Sequence, residues 1–265
     1  MLKKAADDRG ISCRFVDIRG IAWPGGLDVS EGDVALCRCV SHGHNLAIAK
    51  LMESRGVRTV NHSSVMEACG DKVITASILD VAGIPQPEYR VAFSQEEAVN
   101  AAESLGYPVV FKPPVGSWGR LISKVNDKDC AESLVEHKSF MGPNHGTFFI
   151  QEYVEKPGYD VRALVVGGKP ISAIKRASSH WITNTARGAE AQSIPLDDSL
   201  TDVLSSVYKA FGGDLLAVDL FQNGNSWSVN EVNGQAEFHG SVEGSGVDVA
   251  GAIISHCKSL MEGDK

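Results

Sequence analysis

The chain has 265 residues, 43% hydrophobic and 22% charged, enough for one large domain or two to three small ones with their own cores. A net charge of −8 argues against nucleic-acid binding as the main function, but leaves room for a local basic cleft that takes an acidic ligand. No apolar run approaches membrane-spanning length and the start, MLKKAADDRG, lacks a signal peptide's apolar core, which points to a cytoplasmic protein without a membrane partner. In that compartment the six cysteines read as free thiols, with Cys37 and Cys39 sharing one strand face.

In chain order, a helix-like start at 2–10 precedes short buried strands at 12–18, 33–40 and 57–60, with a helix at 43–55 between the last two. Residues 63–82 read as helix interrupted near Gly70, closed by Gly83 and the PQP run at 85–87. Ser94-Gln-Glu-Glu97 is a capping box that opens a helix over 95–105. Strands at 107–113 and 121–125 flank the loop PVGSWGR, and a helix over 128–138 follows. Strands at 148–154, 161–167 and 170–176 precede a polar segment, ASSHWITNTARGAEA, and a helix at 198–211. Strands at 215–221 and 226–233 flank a QNGN turn that suits a hairpin, and a helix over 247–261 ends the series.

Three motifs carry chemistry. In FKPPVGSWGRL, Lys112 ends a strand and Gly116 and Gly119 bracket a tight turn. Glycines let backbone N–H groups approach phosphate oxygens, and a lysine at the loop's base neutralises their charge. A hairpin turn with a buried lysine stem is the plain alternative. In the later hairpin, Glu231 and Asn233 share one strand face and Asp219 sits on the neighbouring strand. Three such oxygen-bearing side chains suit a hard cation, magnesium above all, unless Asp219 and Glu231 simply pair with basic residues such as Lys112. In QEYV, Glu152 is either an edge-strand charge or, with Asp160-Val-Arg162, part of a nucleotide site.

Taken in order, Lys72, Lys112, the glycine loop, QEYV, Asp160-Val-Arg162, Lys175-Arg176, Asn184, Asp219 and Glu231-Val-Asn233 resemble the ATP-grasp superfamily. Within it they resemble the RimK-like branch of amino-acid ligases. The segments NHSSVMEACGDK, GYPVVFKPPVGSWGRL, FIQEYVEKPGYDVR, HWITNTARG, AVDLF and VNEVN are most similar to its LysX type. Ligases of that type join 2-aminoadipate to the small acidic carrier protein LysW. The resemblance implies α/β and α+β architecture: a small N-terminal α/β domain (1–62), then a central lobe with the glycine loop (63–146) and a C-terminal lobe with the metal and substrate site (147–265), the two lobes clamping ATP.

The same resemblance assigns roles. Lys72 and Lys112 would contact the ATP phosphates, and Gly116, Ser117, Trp118 and Gly119 would close over them. Glu152, Tyr153 and Val154 would hold the adenine, Asp160 the ribose, and Asn184 would sit near the phosphates. Asp219, Glu231 and Asn233 would bind one or two Mg2+ ions. Arg176, Thr185, Ala186, Glu237, Phe238, His239, Gly240 and Ser241 would form the amino-acid site, and Arg187 would stabilise the oxyanion of the second step. A basic rim of Arg120, Lys175, Arg176 and Arg187 would meet the carrier.

Two departures stand out. Where the LysX type resembles NHTMEFKNS, this chain has NGQAEFHGS, so His239 and Gly240 replace a Lys and an Asn, and glutamate joins 2-aminoadipate as a candidate substrate. The family's first domain also begins with a strand ahead of the helix at 2–10, so a shortened first domain with an open sheet edge is expected. Two other readings remain: a RimK-like glutamate ligase acting on another protein tail or a coenzyme, and a nucleotide-binding regulator. Self-association is left open.

Overall fold

Among the described residues, strand pairing makes three sheets, each built from a contiguous stretch of sequence. The computed structural model describes residues 1–116, 120–142, 145–178, 180–183 and 190–263. The first stretch holds α1 (Leu2–Asp7), β1 (Val34–Leu36), α2 (His42–Glu53) and β2 (Arg58–Val60), with β1 and β2 parallel. The segment expected as a strand at 12–18 is not one. Among the described residues no strand pairs with it, and it enters a 3-10 turn at Ile18–Gly20 and leaves Phe15 57% exposed. Apolar residues favour a strand only where a neighbour and a covered face receive them.

Next come α3 (Ser63–Gly70) and α4 (Lys72–Val81), broken where expected. Asp71 leaves helical geometry there, and its side chain accepts from the Val73 N–H at 2.8 Å, capping α4. The central sheet contains β3 (Tyr89–Ala92), β4 (Val109–Lys112), β5 (Ser123–Val125) and β6 (Phe148–Glu152), in the order β3-β6-β4-β5 and antiparallel throughout. Helices α5 (Gln95–Leu105) and α6 (Lys128–Phe140) cover one of its faces. Ser94 caps α5 by accepting from the Glu97 N–H at 3.2 Å. Although β6 follows the expected division at 146/147, it pairs with β3 and β4 and so belongs to the central sheet.

The last stretch forms a five-stranded antiparallel sheet, in the order β11-β10-β7-β8-β9. Its strands are β7 (Tyr159–Val166), β8 (Lys169–Ala177), β9 (Glu190–Ile194), β10 (Leu215–Asn223) and β11 (Ser226–Asn233). Helices α7 (Asp198–Phe211), α8 (His239–Ser245) and α9 (Val249–Glu262) complete it. Neither β9 nor α8 is expected from the sequence. Both faces of this sheet are covered, which explains why LLAVDL reads as a continuous apolar run. Leu216, Val218 and Leu220 pack towards α7, while Leu215 and Ala217 pack towards α1 and α9. Asp219 continues the face of Leu215 and Ala217, beyond the reach of that helical cover. Cross-strand register puts Arg162 and Glu231 beside it, and Arg176 beside Asp160. One face of the sheet therefore turns from apolar to ionic along its length.

Asn61 joins the first stretch to this sheet. Its buried amide donates to the Leu215 and Gly234 carbonyls, both at 2.6 Å, and accepts from the Leu215 N–H at 2.8 Å. Three partners lost at once would leave buried backbone groups unpaired, so Asn61→Ala is expected to cost about 3 kcal/mol in chemical denaturation. Unchanged stability would show that this amide does not hold the junction. No helix among the described residues is long and apolar enough to cross a membrane.

Candidate active site

A cavity of about 920 Å³ lies between the central and five-stranded sheets, with the loop from β1 to α2 forming its third side. At one end Val110, Ile122, Tyr153, Val154, Trp181 and Phe221 give it an apolar and aromatic lining. Tyr153 meets the edge of Trp181 with ring centroids 6.1 Å apart, and the Lys124 ammonium sits 3.5 Å above the Tyr153 ring. Just before this strap, the Glu152 carboxylate accepts from the Glu88 N–H at 2.9 Å, fixing the end of β6.

The floor of the cavity is cationic. The Lys72 N–H donates to the Pro114 carbonyl at 2.8 Å, and its ammonium donates to the Gly116 carbonyl at 2.9 Å. The start of α4 thereby anchors the base of the glycine loop. A Cβ on Gly116 would lie 2.9 Å from the Pro113 ring, so the tight turn excludes a side chain. Lys112 donates to the Asn230 side chain at 2.8 Å and to Gln151. Burial pushes its ammonium down to about 8, against the pull of the Glu231 carboxylate.

Beside the lysines lies a buried ionic cluster. Arg162 grips Asp219 with two bonds of 2.7 and 2.8 Å. Arg176 grips Asp160 in the same way at 2.7 and 2.9 Å, and its Nη2 lies 3.1 Å from Asp219. Burial favours protonation of Asp219, but the two guanidiniums overcome it and hold the carboxyl below the usual range. Glu231 faces Lys72 at 3.2 Å. The alternative pairing of Asp219 and Glu231 with basic residues is thus realised, but with Arg162, Arg176 and Lys72 instead of Lys112.

The donor chemistry of the hairpin fits a hard cation. Asp219 and Glu231 are cross-strand neighbours, and Asn233 has its Nδ2 buried without a partner, so turning the amide would present its oxygen instead. Among the described residues no three His, Cys, Asp or Glu side chains form a ready-made cage. A cation held here would therefore keep water or phosphate oxygens among its ligands, the habit of magnesium.

Of the residues singled out in the sequence, Lys72, Lys112, Gly116, Glu152, Tyr153, Val154, Asp160, Arg176, Asp219, Glu231, Asn233, Glu237, His239 and Gly240 all line this cavity. Phe238 and Ser241 do not: they point into the core beneath α8 and are almost fully buried. Asp160 spends its carboxylate on Arg176, and Arg176 is only 3% exposed, so it contributes nothing to a basic rim. Ser117, Trp118, Gly119, Asn184, Thr185, Ala186 and Arg187 lie outside the described residues.

Sequence reasoning missed several cavity residues. Asn230 reaches Lys112 because β11 bulges there, pairing Glu231 with Asp219 but Val229 with Leu220. On a regular strand Asn230 would face away from Glu231, and nothing in VNEVN announces the bulge. Lys156 donates to the Thr183 hydroxyl at 2.9 Å and lies over the Phe221 ring. Arg38, His42 and Gln235 come from segments remote in sequence, and His42 and Gln235 bond to one another at 3.1 Å.

Known proteins are similar to this chain in sequence and fold. A RimK-like ATP-grasp domain matches residues 69–257, and a LysX preATP-grasp domain matches residues 1–68. The chain is 30% identical over 262 residues to the glutamate–LysW ligase ArgX of Sulfurisphaera tokodaii, covering 97% of this chain and 93% of the relative. It is 34% identical over 225 residues to the alpha-aminoadipate–LysW ligase LysX of the same organism, covering 84% and 79%. The crystal structure of a RimK domain ATP-grasp protein from Sphaerobacter thermophilus superposes with a TM-score of 0.75 at 26% identity, over 96% of this chain and 93% of that one. A cationic floor between two antiparallel sheets, an aromatic strap and a carboxylate hairpin occur here in a chain that belongs to the RimK-like ATP-grasp family of ligases.

Proposed function

We propose that this protein is an ATP-dependent carboxylate–amine ligase that joins the amino group of 2-aminoadipate or glutamate to the C-terminal Glu of a small acidic carrier protein of LysW type. The observation that carries the reading is the pair of lysines on the floor of the cleft, Lys72 and Lys112, set at the base of the glycine loop. Two ammonium groups beside a glycine turn suit the phosphates of a polyanion such as ATP. The relatives' names, ArgX and LysX, supply the acceptor and the two candidate amino acids.

In the first step a carrier carboxylate oxygen attacks the γ-phosphorus of ATP, giving an acyl phosphate and ADP. The amine then attacks the acyl carbon, an amide forms, and phosphate leaves with a proton taken up by solvent. Phosphoryl transfer asks for positioned charge more than covalent help. Lys72 and Lys112 provide it from two different elements, α4 and β4, whose positions are locked to the glycine loop and to β6 and β11. Mg2+ held by Asp219, Glu231 and Asn233 would neutralise charge on the transferring group. Tyr153 and Trp181 exclude water from the base end of the cleft. Arg187 is assigned the oxyanion of the second step.

The test is the intact mass of a LysW-type carrier after incubation with this protein and Mg-ATP, the two amino acids being supplied separately. A gain matching 2-aminoadipate alone assigns a lysine-type ligase, glutamate alone an arginine-type ligase, and both a dual enzyme. No gain with either amino acid, with ATP bound, rejects the carrier as acceptor.

A further inference from the structure

The first domain enters the cleft through one loop. In parallel α/β sheets, ligands sit in the crevice beyond the carboxyl ends of the strands. The chain leaving β1 passes through that position with Arg38, Cys39 and Val40, which line the cavity together with His42. Arg38 is fixed at two points. Its Nη1 donates to the Ala236 carbonyl at 2.6 Å, and its guanidinium lies 5.3 Å from the centre of the Phe238 ring. Among the described residues the Ala236 oxygen is its one hydrogen-bond partner, so most of its five donors are uncommitted. Glu237 acts on it through its charge without a hydrogen bond, its carboxylate accepting instead from both the backbone and the ring of His239. A planar, pre-oriented cation thus lines a concave wall with no carboxylate of the described residues bonded to it.

We infer that Arg38 is a substrate-binding residue that takes a carboxylate, on the wall of the cleft that it shares with Gln235, His239 and Gly240. The inference rests on the ligase reading above. A guanidinium fork matches the two oxygens of a carboxylate, whereas the nucleotide phosphates have Lys72 and Lys112 on the cleft floor. Two sources share this chemistry: the amino acid's own carboxylates, and the carboxylate of the carrier's terminal Glu that does not react.

The experiment compares wild type, Arg38→Met and Arg38→Lys in steady-state kinetics, with KM taken separately for ATP, amino acid and carrier. Arg38→Met is expected to raise KM for one carboxylate substrate on the order of 10- to 100-fold, the worth of a lost charge-assisted pair. The substrate affected identifies the source. ATP affinity and melting temperature should hold, and Arg38→Lys should recover part of the loss. Replacing the recognised carboxylate by its amide, in glutamine or glutamate α-amide, or in a carrier whose non-reacting terminal carboxylate is amidated, should penalise wild type but not Arg38→Met.

Unchanged KM values would overturn the inference. So would an equal loss across all three substrates with a lowered melting temperature, which would make Arg38 a clamp on residues 236–238. Should Arg38→Met fail to fold, Arg38→Lys and Arg38→Gln decide by the same amide comparison. If wild type ligates neither amino acid to the carrier, the ligase reading falls by itself. Calorimetric binding of glutamate and 2-aminoadipate to wild type and Arg38→Met, with a non-hydrolysable ATP analogue present, then decides Arg38: equal affinities reject it.

Discussion

Replacing Lys112 with methionine is expected to lower kcat/KM for ATP on the order of 10²- to 10³-fold, while the protein stays folded. The side chain ends β4 almost fully buried, and its ammonium is fixed by Gln151 and Asn230 rather than left to search. A pre-oriented cation at a site of developing phosphate charge acts without reorganising, which is why its loss costs more than an exposed lysine would. Burial gives the same residue a pH signature, since it brings the ammonium of the free protein down to about 8. The charged form binds phosphate, so ATP affinity is complete below that value and declines as pH rises through it. The decline approaches tenfold per pH unit, the slope of one linked proton. ATP titrations between about pH 7 and 9.5, where the phosphate oxygens are already ionised, would show it. Lys112→Arg keeps its charge and should flatten the profile, whereas Lys112→Met should be flat and weak. ATP affinity equal in wild type and Lys112→Met below pH 8 would remove Lys112 from the phosphate site.

Much of this arrangement was legible before any coordinates, and the parts that were not share a cause. The helix at 198–211 and the strand at 226–233 have the bounds expected of them. The helix has Asp197 as cap and an apolar stripe through Leu200, Leu204, Val207 and Phe211, and the strand has a turn and alternation. Local chemistry decided both. By contrast, β9 is the polar run EAQSI at a sheet edge, where one neighbour and little burial relax any alternation. Likewise α8 is HGSVEGS, two glycines and two serines in seven residues, a helix made by its packing against β8 and β9 and not by propensity. The segment at 12–18 failed in the opposite direction, having strand-like residues but no partner. The site divides the same way. Glu231, Asn233 and Asp219 follow from side-chain alternation, while Asn230 depends on a bulge and Arg38 on a contact spanning 198 residues of sequence. Alternation is encoded locally, and contacts of that range are not.

The ionic cluster behind the lysines makes the second strong claim, and it concerns stability. Arg176 is enclosed between Asp160 and Asp219, all three nearly out of solvent. Burial opposes its charge, yet the two carboxylates more than compensate and push its pKa further up. Such an arrangement adds little net stability when whole but is costly to break, because removing one partner leaves a buried charge uncompensated. Arg176→Met is therefore expected to destabilise the protein by about 3–5 kcal/mol. That corresponds to a fall in Tm on the order of 10 °C for a chain of this size. Asp219 would keep Arg162, but Asp160 would lose both of its charge-assisted bonds. Neutralising Asp160 as well should then recover stability, so that Arg176→Met/Asp160→Asn melts above Arg176→Met alone, with a coupling of about 1–3 kcal/mol between the two sites. The sign of that coupling separates two roles for Arg176. A guanidinium kept to hold substrate would cost activity when removed but would gain nothing from Asp160→Asn. A guanidinium kept as the counter-ion that allows Asp160 and Asp219 to lie on one sheet face would show the recovery, and purely additive losses would reject it.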